Sequence, residues 1–91
     1  MDRTKIKGML GIAQKAGALI RGGDNLDGYE KKLYLALMDT TAGKSTRKIA
    51  DRLKEKCKII EVEDLTDLVG RECKLVALKN KGISEAIEKL I

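Results

Sequence analysis

Three stretches of this chain carry residue types able to do chemistry: Arg21-Gly22-Gly23-Asp24-Asn25, Ala42-Gly43-Lys44-Ser45-Thr46, and the pair Cys57 and Cys73. In the first, two glycines without Cβ atoms let another backbone come close, and Asn25 offers a donor and an acceptor to a base edge. The same residues also make an ordinary turn, with Asp24 or Asn25 capping a short helix, and local sequence alone favours the turn. The second stretch follows an apolar run and has the layout of a P-loop. The required spacing G-x-x-x-x-G-K-[ST] places Met38 at its first glycine, however, and a bulky residue there keeps the backbone from wrapping phosphate. Nucleotide hydrolysis is therefore not expected. Free N–H groups at the start of the following helix, beside Lys44 and Arg47, remain able to meet an RNA phosphate, or Ser45 or Thr46 merely caps that helix.

The cysteines fit no metal-ligand spacing, and each opens a strand-like run where a small buried thiol packs well. Histidine is absent, which removes the usual general base. No catalytic residue, metal or cofactor is expected, and the chain is not read as an enzyme.

Nineteen Lys and Arg against fourteen Asp and Glu leave a net charge of +5, which favours an anionic partner. Lys44, Arg47, Lys48, Arg52, Lys54, Lys56 and Lys58 crowd one segment, while acids gather at Glu61, Glu63, Asp64, Asp67, Glu85 and Glu88. A solvated helix face accounts equally well for that crowding. Tyr29 and Tyr34 are the only aromatic residues, so recognition through stacked single-stranded bases is not expected. The longest apolar run, Leu33 to Met38, is far short of the roughly 20 residues of a membrane span, and the amino terminus does not resemble a signal peptide. A cytoplasmic monomer with no membrane association is expected.

The elements that must position these residues are legible from periodicity. Ile6, Met9, Leu10, Ala13, Ala16 and Gly17 make an apolar stripe on a helix over 2–16 with Asp2 as N-cap. A short strand follows at Ala18 to Ile20. Leu33 to Met38 reads as a strand covered on both faces and internal to a sheet. A polar turn, Asp39 to Lys44, leads into a helix to about Lys56 whose inner face is Ile49, Ala50 and Leu53. Cys57 to Val62 is the next strand, completing a strand-helix-strand crossover. Asp64 caps a short helix through Leu65, Leu68 and Val69, and Gly70 closes it. Cys73 to Lys79 is the last strand. Gly82 then opens a helix with Ile83, Ala86, Ile87 and Leu90 inward. This alternation over 91 residues predicts one α/β domain, residues 1–91, folded as a three-layer α/β/α sandwich on a mixed sheet of about four strands.

Leu10 to Gly22, LGIAQKAGALIRG, resembles the opening of the kink-turn-binding ribosomal proteins of the L-seven-Ae and L-thirty-e superfamily, particularly the short bacterial YlxQ-like branch. Asp39-Thr40-Thr41 with its basic helix, Leu65 to Glu72, and Lys79-Asn80-Lys81-Gly82 resemble later segments of that family in the same order, so the likeness covers nearly the whole chain. The resemblance implies a three-layer domain that grips kinked RNA without catalysis. In that family a Gly-x-Asn-Glu segment and a nearby Lys read the sheared G·A pairs, and a loop before the last strand packs on an extruded base. Gly23 and Asn25 match the segment, and Arg71, Glu72 and Cys73 fall in the loop.

Leu26 stands at the family's Glu position and Tyr29 at its Lys. Only the nine residues Asp24 to Lys32 separate Gly23 from the next strand. Fully helical they would span ~14 Å, and Gly28 costs such a helix roughly 1 kcal/mol. Two function classes result. One is a non-enzymatic RNA-binding protein of ribosomal type, a ribonucleoprotein component contacting RNA through Arg21, Gly22, Gly23, Asn25, Lys31, Lys32 and the Arg71 loop at one end of the sheet. The other is a protein-interaction or assembly module on the same fold that has lost kink-turn recognition.

Overall fold

The computed structural model describes all residues, Met1–Ile91. Helix α1 (Arg3–Lys15) begins where expected: the Asp2 carboxylate accepts the Lys5 N–H at 3.1 Å, satisfying one donor the helix cannot. Ile6, Leu10 and Ala13 are buried and Met9 packs against them. Ala16 and Gly17 are exposed, contrary to the expected stripe, because the helix stops at Lys15. Gly17, at φ +68°, donates its N–H to Gln14 O, and Ala18 donates to Ala13 O. This paired closure needs a left-handed residue at position 17. It turns the chain directly into β1 (Leu19–Arg21), one residue later than the sequence predicts.

The remaining elements are α2 (Gly23–Leu26), β2 (Leu35–Asp39), α3 (Lys44–Leu53), β3 (Lys58–Val62), α4 (Leu65–Val69), β4 (Leu75–Leu78) and α5 (Lys81–Glu88). The sheet order is β1-β4-β2-β3, with β4 antiparallel to both neighbours and β2 parallel to β3. The parallel pair is the crossover through α3. Every residue of β2 and β4 is buried, as interior strands covered on both faces require, whereas edge strand β3 exposes Lys58 and Glu61.

Strand alternation divides the apolar side chains between two cores. Leu35, Leu37, Val76 and Leu78 pack against Ile6 and Leu10 of α1, Leu65 and Leu68 of α4 and Ile87 of α5. Ala36, Met38, Leu75 and Ala77 face Leu26 of α2 and Ala50 and Leu53 of α3. The protein is an α/β/α sandwich on a mixed four-stranded sheet. No helix is long and apolar enough to cross a membrane.

Element ends differ from expectation where side chains redirect the backbone. β2 starts at Leu35, since Leu33 is buried but outside the ladder. β4 starts at Leu75 rather than Cys73, whose N–H goes to the Thr66 hydroxyl at 3.3 Å. α5 is opened by Asn80, which accepts the Ile83 N–H at 2.9 Å, and not by Gly82. Asp64 and Gly70 bound α4 as expected.

The register brings the last residue of β1, the first of β4 and the end of β2 to one end of the sheet: Arg21 pairs with Val76, and Leu75 with Met38.

Candidate nucleic-acid interface

At this end the Gly22 N–H donates to Leu75 O at 2.8 Å, with Gly22 at φ 94° and ψ 141°, a conformation open essentially to glycine alone. Gly23 has a different reason. A Cβ there would stand 3.0 Å from Ile49 Cδ1, so its absence lets α2 seat on α3. Asp24 and Asn25 lie inside α2; the N-cap is Gly22, with no side-chain cap, so neither caps the helix as the turn reading expects. The Asn25 Nδ2 group instead donates to Arg21 O at 2.8 Å. That bond uses one amide hydrogen and leaves the other, together with Oδ1, on an exposed side chain. A donor and an acceptor thus remain available to a base edge.

Beside Asn25 opens the N-terminus of α3. Gly43 is its cap and, lacking a side chain, offers no side-chain acceptor to the first N–H groups; neither Ser45 nor Thr46 serves as cap. The first N–H bonded within the helix is that of Arg47, to Gly43 O at 3.0 Å. An open depression of about 380 Å³ joins the two regions, lined by Gly22, Gly23, Asn25, Ser45, Thr46 and Lys74 among others. Asp24 is the one acid in this lining. The two stretches that read separately in sequence therefore meet on one surface, where the dipole of α3 favours an anion and the Lys74 charge is shared with Asp39.

Lys74 is held there by a buried carboxylate. Asp39, 4% exposed, accepts N–H bonds from Thr41 and Leu65, each at 2.9 Å, and a bond from the Thr41 hydroxyl. Lys74 Nζ stands 3.6 Å from Asp39 and donates to Thr41 Oγ1 at 2.8 Å. The Thr41 hydroxyl, then the Leu65 and Thr41 amides, hold the Asp39 carboxyl far below the usual carboxylate range. In the sequence Asp39 falls in the polar turn, whereas in the fold it ends β2 and anchors this corner. The pattern that marks it is an acid ending an apolar strand and followed by Thr-Thr. Arg47 is also committed to the fold, donating to Ala42 O, Thr40 O and Glu61 at 2.8–2.9 Å, so it does not stand free beside the α3 N-terminus.

Lys31 and Lys32 do not share this end. Because α2 stops after one turn, residues 27–34 run down beside α3, where Arg52 pairs with Asp27 and Lys56 donates to Tyr29 O. The two lysines precede β2 and lie at the opposite end of the sheet, roughly 13 Å away along a five-residue strand. Lys32 Nζ stands 5.3 Å from the Tyr34 ring centroid. Leu26 is a fully buried core residue.

No protein-family model and no curated protein matches the chain. Among solved structures it superposes on a protein of unknown function from Bacillus halodurans C with a TM-score of 0.77 and 22% identical residues, covering 94% of this chain and 95% of that one. The two share a fold. At that identity the likeness establishes architecture alone.

On this fold the remaining site residues fall on the α1 side of the sheet. Ile20 packs toward α2 and α3, so alternation turns the neighbouring Arg21 toward α1, where its charge acts on Cys73. Arg71 and Glu72 are exposed in the loop between α4 and β4, and neither makes an ion pair or a side-chain hydrogen bond. Cys73 belongs to the core around α1, and burial pushes its thiol up. Its side chain is therefore not presented to a ligand as the resemblance implies. The half-buried Cys57 thiol is raised for the same reason.

Proposed function

We propose that this chain is a non-enzymatic, cytoplasmic RNA-binding protein of ribosomal type that engages a kinked or otherwise structured RNA as a monomer. The observation carrying this reading is the convergence of the Asn25 amide, the uncapped α3 N-terminus and Lys74 on one depression. The helix end and lysine supply phosphate contacts, which position the RNA, and Asn25 supplies a base contact, which specifies it. Of the segments resembling the kink-turn family, Arg21-Gly22 and Asp39-Thr40-Thr41 with its helix reach this end of the sheet, whereas Lys79 to Gly82 lies at the other.

A second reading, an assembly module that has lost kink-turn recognition, is favoured by the single-turn α2 and the buried Leu26. Titration with a kink-turn RNA and a matched straight duplex at two salt concentrations separates the two. Tighter binding of the kinked RNA that weakens steeply with salt supports RNA recognition. Absence of binding to either RNA favours the assembly module.

A further inference from the structure

The α1 side of the same end carries a second cationic surface. The exposed residues Lys15 and Arg71 flank an open groove completed by Gly11 and Gln14, with no acid in its lining. Neither cation has a carboxylate partner. Arg21, on the same side of edge strand β1, also has none. Within the protein, then, these charges neutralise nothing. The Gln14 Nε2 group donates to Val69 O at 2.8 Å, which orients the amide and leaves Oε1 without a partner. That oxygen is not buried, since no buried side-chain polar atom lacks a hydrogen bond.

We propose that this groove binds the sugar-phosphate backbone of a helical RNA stem adjoining the structure held at the Asn25 depression; the proposal rests on the RNA-binding reading above. Arg71 lines the groove and Lys74 the depression, and only three chain steps, at most roughly 11 Å, separate them. One RNA can therefore occupy both. The groove's only charges are cations, which suit phosphate, the free Gln14 acceptor suits a ribose 2′-hydroxyl, and the place of the groove beside the Asn25 depression makes an RNA already held there its occupant. With cations as its only charges, the groove is also disfavoured from packing on the same groove of a second copy. Gly11 keeps the helix surface low: nothing lies within 4 Å of where its Cβ would be.

The test uses the whole chain and two kink-turn RNAs, one with stems of a few base pairs and one with a stem extended by a full helical turn. Lys15→Gln should weaken binding of the long-stem RNA about five- to eightfold at 0.1 M salt and lower its salt slope by ~0.7–0.9, the contribution of one phosphate contact. Binding of the short-stem RNA should stay unchanged. Gly11→Glu should weaken the long-stem complex similarly while raising the melting temperature, because Glu is the better helix former and the site is open. Equal loss on both RNAs, or loss on neither, overturns the proposal while leaving RNA binding at the depression intact. Wild-type protein that binds neither RNA overturns both. Binding of polyglutamate that Lys15→Gln abolishes, with RNA binding unaffected, assigns the groove to an acidic protein and overturns the proposal.

Discussion

Asp39 and Lys74 face each other at 3.6 Å across the end of the sheet, the acid 4% exposed and the lysine reaching solvent. Through its other bonds Asp39 also ties the start of α4 and the loop after β2 to the same point. The position of the cation in the depression is thus set by a buried carboxylate.

Asp39→Ala leaves the buried Leu65 N–H without its acceptor and should cost about 2–4 kcal/mol in chemical denaturation at neutral pH. The Asp39 carboxyl titrates lower in the folded protein than its ordinary value of 3.8. Its stabilisation is therefore complete above about pH 5 and declines as pH falls through 4 and below. Asp39→Asn should flatten this part of the stability-pH curve. An unchanged acid limb in the variant would show that other groups dominate.

Gly22 and Gly23 should respond differently to alanine. Gly22→Ala forces a Cβ onto a residue at φ 94° and should cost about 1–3 kcal/mol whatever surrounds it. Gly23→Ala crowds Ile49 Cδ1, so its cost, roughly 1 kcal/mol, should shrink when combined with Ile49→Val, which removes that atom. Equal, additive penalties in the double-variant cycle would contradict the packing reason for Gly23.

Much of the fold is legible in the sequence because its buried strands are continuous apolar runs. Leu33 to Met38 can be read as interior from composition alone, although its ends cannot: Leu33 is apolar outside the ladder, and Asp39 is charged inside it. The site is less legible. β4 inserts between β1 and β2, and that order places Lys74 between two stretches far apart in the chain. Lys31 and Lys32 lie away from the site for a related reason, since a one-turn α2 sends the chain back down the sheet before it reaches them.

Amide exchange should follow this architecture. Leu37, paired with Ile60 of β3 and Val76 of β4, should be among the slowest amides, while Lys31 and Lys32, outside any ladder, should exchange fast. Fast exchange at Leu37 would contradict an interior β2.

Lys44→Ala should leave stability within about 0.5 kcal/mol of wild type, because the side chain is exposed and unpaired. Calorimetry should detect no magnesium-dependent nucleotide binding in either protein, given Met38 at the first P-loop glycine. Stoichiometric binding lost in the variant would reverse that conclusion.

The most direct measurement is the affinity of wild type and Asn25→Ala for a kink-turn RNA and its straight duplex control, with melting curves of both proteins. Losing the bond to Arg21 O should lower stability by about 0.5–1.5 kcal/mol and leave the protein folded. If the remaining amide hydrogen and Oδ1 read a base, the variant should lose roughly 1–3 kcal/mol of its preference for kinked over straight RNA. Wild-type protein that binds both RNAs equally, or a variant that keeps the full preference, would contradict base recognition by Asn25.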